Sequence, residues 1–188
     1  GEASRVNRLH ERVAGSYEST SGTKPYRAAD TDLLAWVHVA FTDSFLSAHN
    51  TYCKNKVDAD AYVEQWGRSV AQLGLTRVPT SLEELDQAVA GFAPALRADE
   101  TTLRVVSFIK NPPLPPLVRS IYRVLWLAAV YSLRDEHREL LGLKKPGRWV
   151  VGATRFLLVS IRVLIGPESP IEDGALARLK RLGLLALK

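Results

Sequence analysis

Hydrophobic residues recur every three or four positions along most of the chain, and this spacing predicts a series of amphipathic helices. The clearest apolar stripe belongs to a helix that Asp30 or Thr31 caps and that runs to about Lys54. The members of this stripe are Leu34, Val37, Phe41, Phe45, Ala48 and Tyr52. Few segments alternate with a period of two, which is the spacing typical of strands. We therefore predict an all-α fold, a single multi-helix globular domain over residues 1–188.

Capping residues and breaker residues locate the other elements of the first half. Residues 1–14 are predicted to form a short helix, and residues 15–29, rich in glycine, serine and threonine, are predicted to form a loop. Ser81 and Glu84 have the spacing of a capping box, as do Thr80 and Glu83. Further helices are predicted to begin at Asp58, Ser81 and Asp99, and Gly74 is the predicted C-cap of the first of these.

The second half of the chain opens with a proline-rich segment, residues 111–116, that we predict to be a stiff extended linker. One long helix, or two helices broken near Arg134, follows over residues 117–141. Residues 148–187 are predicted to form apolar C-terminal helices. Arg155 and Arg162, seven residues apart, share one helical face, and each would cost about 2.5–3.5 kcal/mol in the centre of a membrane. A packed helix with one polar edge is favoured, with a helix lying in a membrane interface as the alternative.

Composition and charge narrow the possible partners. The single cysteine excludes an internal disulfide framework and a cysteine-based zinc site. The net charge of +5 is modest, and the arginines are dispersed among apolar residues, so we do not expect nucleic acid as a partner. A weak attraction to an anionic membrane surface suits this pattern better. No signal peptide is visible at the start, and we expect a cytoplasmic or membrane-peripheral location; the oligomeric state is left open.

The candidate chemistry depends on two histidines that flank one polar loop. The sequence has no HExxH, GxSxG, P-loop or GxGxxG motif, so zincin, hydrolase and nucleotide-binding chemistry lack support. His10 is either a surface residue of a charged helix or an inward-facing axial heme ligand. His38 is either a core histidine hydrogen-bonded to a neighbouring helix or a polar group beside a cofactor. His49 is interpreted as structural, and His137 is predicted to lie on a solvated face.

Several motifs become specific in combination. They are His10-x-x-Val13-x-Gly15, Pro25-Tyr26-Arg27-Ala28-Ala29-Asp30, Leu34-x-Trp36-Val37-His38 with Asp43-Ser44, Pro79-Thr80, Pro112-Pro113-Leu114-Pro115-Pro116 and Leu140-Leu141-Gly142-Leu143. Together they resemble the MpaB-type and rubber oxygenase (latex-clearing protein) family over most of residues 5–147. Members of that family extend before the first histidine motif, and we expect those N-terminal helices to be missing from this sequence.

The resemblance implies an all-α fold around heme b and an oxygenase that uses O₂ to cleave carbon–carbon double bonds in isoprenoid-like chains. It makes His10 the candidate axial ligand of the iron and His38 a pocket residue. We add Thr42, which shares the stripe of His38, and Arg27, which either closes over the pocket or staples the helix entry, to the predicted cofactor-binding set.

The function that follows is a heme-dependent oxygenase acting on an apolar, unsaturated substrate, either isoprenoid-like or lipid. We expect an apolar tunnel for this substrate, lined by Trp36, Phe41, Phe45 and the helix over residues 117–131. The alternative is a non-catalytic helical domain that binds heme or lipid or makes peripheral contact with a membrane surface.

Overall fold

One long helix organises the fold. The computed structural model of the protein describes residues 2–19, 22–166 and 170–183. Within them the chain is mainly helical, which confirms the predicted all-α class. The helices are α1 (Glu2–Arg12), α2 (Thr31–Tyr52), α3 (Ala59–Val70), α4 (Leu82–Phe92), α5 (Glu100–Lys110), α6 (Pro116–Ser132), α7 (Asp135–Leu140), α8 (Trp149–Ile165) and α9 (Pro170–Arg181). The long helix is α2, which packs against α3, α4, α6 and α8.

Asp58 and Asp99 cap helix starts through their side chains, whereas Asp30, at the start of α2, makes no side-chain capping bond. Asp58 Oδ1 accepts hydrogen bonds from the backbone N–H groups of Asp60 and Ala61 at 3.0 and 3.1 Å. Asp99 Oδ1 accepts from the N–H of Thr102 at 2.7 Å. These bonds satisfy N–H groups that have no partner within the first turn of a helix, so the starts predicted at Asp58 and Asp99 are confirmed.

Ser81 forms the predicted capping box in a slightly extended version. Its Oγ accepts from the N–H of Glu84 at 3.2 Å. The Glu84 carboxylate reaches back one residue further than usual, to the N–H of Thr80 at 2.7 Å and to its hydroxyl at 2.9 Å. The first turn of α4 is therefore closed from both sides.

The segment predicted as a loop is an antiparallel hairpin. Strands β1 (Ala14–Ser19) and β2 (Gly22–Arg27) pair in a register that runs from Ala14–Arg27 to Ser19–Gly22. Its residues are mostly exposed and polar, so the strands lack the alternation that marks a half-buried strand in a sequence. Backbone pairing and packing of Tyr26 over Gly15 hold it instead, since a Cβ at Gly15 would lie 2.9 Å from the Tyr26 ring.

Among the residues that the structure describes, the core has two clusters, one on each side of α2. The first joins α2 to α3 and α4 through Val39, Leu46, Val63, Leu85 and Val89. The second joins α2 to α6 and α8 through Tyr52, Ala128 and Val150. Two side-chain bonds reinforce the second cluster: Tyr52 Oη donates to the Ala128 carbonyl at 2.8 Å, and Ser47 Oγ donates to the Ser132 carbonyl at 2.6 Å.

The helix after the proline-rich linker is broken, as the second of the two sequence alternatives states. α6 ends at Ser132 and α7 begins at Asp135, with Leu133 in extended backbone between them. Arg138 is buried beneath this break and donates to the carbonyls of Leu133 and Val130. A buried guanidinium thus satisfies carbonyl groups that the end of α6 leaves unpaired.

Candidate functional site

His10 lies in the last turn of α1, at a junction of three elements. α1 packs against β2 and against a 3-10 turn formed by Ala71–Leu73. The N–H of Ala28 donates to the Val13 carbonyl at 2.9 Å, which ties the end of α1 to the entry of α2. His10 is half-buried, and its Nδ1 is buried without a hydrogen-bond partner.

A cavity of about 170 Å³ adjoins the imidazole. Its lining consists of Asn7, His10, Glu11, Ala29, Leu34 and Leu73. A buried imidazole nitrogen without a partner is uncommon and suits a group that receives a ligand bond. The volume is below the roughly 300–1,000 Å³ of pockets for ligands of drug size. Among the described residues, His10 therefore offers a nitrogen donor that suits heme iron. The cavity that these residues form is too small to enclose a porphyrin.

An exposed apolar strip on α2 begins at this cavity. We call Leu34, Val37, Phe41 and Phe45 the α2 strip; their spacing places them on one side of the helix. Phe41 and Phe45, about half exposed, have ring centroids 5.8 Å apart, and Phe45 lies edge-on to Trp66 at 5.5 Å. Contiguous exposed aromatic surface of this kind marks a contact site for an apolar partner.

The predicted tunnel is not formed by the described residues. Trp36 faces a different side of α2 from Phe41 and packs against Phe92, with ring centroids 5.3 Å apart. Trp126 of α6 lines a separate cavity beside the proline-rich linker. Phe41 and Phe45 remain on the surface, so the aromatic residues grouped by the sequence belong to different sites.

His38 and Thr42 lie in the interior, next to each other on α2. Both ring nitrogens of His38 are buried without a partner, so the predicted hydrogen bond to a neighbouring helix is not seen in the described part of the chain. Burial lowers the pKa of His38 below its ordinary value of 6.5 because the protonated ring would lose its hydration. Thr42 Oγ1 donates to the His38 carbonyl at 2.7 Å, so its proton is already engaged. Their assignment to a cofactor site stays a prediction.

Arg27 occupies the turn that leads from β2 into α2. Its backbone N–H donates to Asp30 Oδ2 at 2.8 Å, and the Asp30 N–H donates to the Arg27 carbonyl at 2.9 Å. This turn places Ala29 in the lining of the His10 cavity. The Arg27 side chain is exposed, and its role toward a cofactor stays a prediction.

A second cavity, of about 360 Å³, lies on the other side of α2 and was not found from the sequence. It is lined by Trp36, Ala40, Asp43, Ser44, Val89, Leu96, Arg97, Thr102, Leu133, His137, Leu140 and Leu141. The predicted solvated position of His137 is wrong, because its ring packs against Trp36 of α2. The His137 ring is half-buried and edge-on to Trp36 at 6.3 Å, and its Nε2 is buried without a partner.

Asp43, in the lining of the second cavity, belongs to an ion-pair network with Arg134 and Asp86. Arg134 Nη2 lies 2.6 Å from Asp43 Oδ1 and 2.5 Å from Asp86 Oδ1. The hydrogen bond to Asp43 is the main reason why the pKa of the Arg134 guanidinium is raised. The sequence contains a signal for this ion pair. Asp43 is an isolated aspartate within the apolar stretch of α2, and a carboxylate at such a position needs a cation beside it.

No cluster of three or more His, Cys, Asp or Glu side chains is placed to hold a metal ion in residues 2–19, 22–166 and 170–183. In the same residues, no helix is both long and apolar enough to cross a membrane. The predicted metal ligand, His10, thus stands as a single donor. Its coordination of iron stays a prediction.

Comparison with protein families gives one clear match. The family model described as "ER-bound oxygenase mpaB/B'/Rubber oxygenase, catalytic domain" matches residues 1–163. No curated protein and no solved structure matches the chain. The matched region includes α1 to α7 and nearly all of α8, and it contains the His10 cavity, the α2 strip and the second cavity. The chain therefore belongs to the MpaB and rubber oxygenase catalytic-domain family.

Proposed function

We propose that the protein is a heme-dependent oxygenase in which His10 is the axial ligand of a b-type heme. The substrate class is an unsaturated apolar chain, isoprenoid-like or lipid. The observation that carries this proposal is the buried, unpartnered Nδ1 of His10 beside a cavity whose lining residue Leu34 begins the α2 strip. Membership of an oxygenase catalytic-domain family supports the reaction class.

The chain would hold heme at the His10 end of α2. A bound heme iron supplies the activation of O₂, which protein side chains do not provide. His10 offers the nitrogen donor, and Glu11 lines the same cavity. The hairpin and the turn at Arg27 hold α1 against the start of α2 and so fix the position of the imidazole.

The α2 strip would provide apolar surroundings for the proposed oxygenase reaction. Val37, Phe41 and Phe45 offer rings and a branched side chain but no hydrogen-bonding group. An isoprenoid chain or the edge of a porphyrin lying on this strip would displace water from it. Exclusion of water protects reactive oxygen chemistry from side reactions, which suits cleavage of an alkene.

Heme reconstitution followed by absorption spectroscopy tests the ligand assignment. We expect a Soret band when the purified chain is mixed with hemin, and loss of that band in His10→Ala. The matched control is His49→Ala, because His49 is bonded to the Asn55 carbonyl at the opposite end of α2. Full heme occupancy in His10→Ala would contradict the assignment of His10.

The reaction class needs a separate measurement. We expect O₂-dependent loss of an unsaturated isoprenoid, with carbonyl groups at the new chain ends, in the reconstituted protein and not in His10→Ala. A protein that keeps its Soret band without O₂-dependent loss of any unsaturated chain would support the non-catalytic heme-binding alternative instead.

A further inference from the structure

α8 exposes an apolar face that no described element covers. Trp149, Phe156, Val159 and Val163 are 62%, 75%, 60% and 76% exposed. They follow a spacing of seven, three and four residues, so they lie on one side of the helix. We call these four residues the α8 face. The opposite side of α8 packs on α2 and α6 through Val150 and Thr154, which are buried. Large exposed apolar surface of this kind marks an interaction site.

A row of arginines borders the α8 face along one edge. Arg148, Arg155 and Arg162 are seven residues apart, and each is exposed. Arg155 is held in place because its Nε donates to the Tyr52 carbonyl at 3.2 Å and its Nη2 donates to the Thr51 carbonyl at 2.9 Å. An apolar face flanked by basic residues is the pattern of a helix that lies in the interface of a membrane.

A groove beside this row has the chemistry of an anionic headgroup site. It has a volume of about 510 Å³ and lies between α8 and the end of α2. Its lining is His49, Tyr52, Cys53, Lys54, Asn55, Arg155, Leu158, Val159 and Arg162. Three of these residues are cationic, and none of the described lining residues is acidic. Val159 belongs to both the groove and the α8 face, so the polar site and the apolar surface are continuous.

We propose that α8 lies in the surface of an anionic phospholipid membrane. Trp149, Phe156, Val159 and Val163 enter the boundary between headgroups and acyl chains, and the groove takes a phosphate headgroup. Charge complementarity favours this occupant over a second copy of the chain, because two copies with net charge +5 would repel each other. This proposal does not depend on heme binding at His10.

Vesicle flotation of the full chain tests the proposal. We expect binding to phosphatidylcholine vesicles that contain about 30% phosphatidylserine, at least about tenfold stronger than to phosphatidylcholine alone, and weakening as salt is raised from about 0.05 to about 0.5 M. Tryptophan emission should shift to the blue on binding, and Trp149→Phe should reduce this shift. Absence of binding to the anionic vesicles at low salt would overturn the proposal.

Variants distinguish binding of a membrane to the α8 face from binding of another partner there. Phe156→Glu and Arg162→Glu should each weaken vesicle binding roughly tenfold, since both side chains are exposed on or beside the α8 face. The matched control is Phe108→Glu, at an exposed phenylalanine of α5 outside the α8 face. Equal loss in the control would overturn the proposal. So would a dimer of the native chain that Phe156→Glu dissociates.

Discussion

Arg134 and Asp43 are joined by two hydrogen bonds, at 2.6 and 2.9 Å, across 91 positions of the chain. The pair ties the break between α6 and α7 to the middle of α2, where the Asp43 side chain is only 15% exposed. Replacing Arg134 by Gln would leave a half-buried carboxylate without its cation. We expect the free energy of unfolding to fall by about 1.5–3 kcal/mol, measured by urea denaturation.

Asp86 provides the control for this pair, since it contacts the same guanidinium with a half-exposed side chain. Asp86→Asn should cost less than about 1 kcal/mol. A cost as large as that of Arg134→Gln would mean that the two carboxylates contribute equally, contrary to their burial.

Acid should destabilise the protein through His38. Burial lowers the pKa of this ring below 6.5, so the unfolded chain takes up a proton at a higher pH than the folded chain does. The contribution of neutral His38 is complete above about pH 6.5 and is lost as the pH falls toward the folded pKa. We expect His38→Leu to flatten the dependence of unfolding free energy on pH between about 7 and 5, whereas His49→Gln should keep it.

Tyr52 should affect the free energy of unfolding at alkaline pH. Its hydroxyl donates to the Ala128 carbonyl, and burial raises the pKa of Tyr52 to about 12. Tyr52→Phe should therefore cost about 1 kcal/mol at neutral pH. In the native chain the contribution of Tyr52 is complete below pH 10.0 and is lost as the pH rises toward about 12. Tyr17→Phe, on the exposed hairpin, is the control and should change neither quantity.

Replacing each of two glycines by alanine should change the stability of the protein in opposite directions. Gly74 has φ 91° at the end of the 3-10 turn, a region that side chains with a Cβ avoid. Gly74→Ala should cost about 1–2 kcal/mol. Gly91 lies within α4, where an alanine Cβ would meet no atom within 4 Å, and Gly91→Ala should stabilise the protein by up to about 1 kcal/mol. Thermal unfolding of both variants under one condition checks the difference in sign.

Features with a local cause were predictable from the sequence. Asp58, Ser81 and Asp99 cap helices through bonds to residues within four positions, so a short window of sequence contains the whole cause. The left-handed backbone at Gly74 has a similarly local origin. The inward position of His10 is one of the two alternatives that the sequence leaves open, and the burial of its Nδ1 agrees with that alternative.

Features that depend on how helices pack were not predictable. His137 sits among charged residues in the sequence, yet the fold places it against Trp36, on a helix from the first part of the chain. The tunnel expected from the family resemblance grouped Trp36 with Phe41, although the neighbouring helices cover one side of α2 and leave the other exposed. The hairpin was missed because backbone pairing between mostly polar strands leaves no periodic signal.

Arg155 donates hydrogen bonds to the last carbonyls of α2 and so attaches α8 to one end of that helix. The same helix carries Leu34, in the wall of the His10 cavity, near its other end. Leu34 and Tyr52 are about 27 Å apart along the axis of α2. One continuous helix, rather than a loop, therefore separates the carbonyls that bind Arg155 from the wall of the His10 cavity, and its length fixes the distance between them.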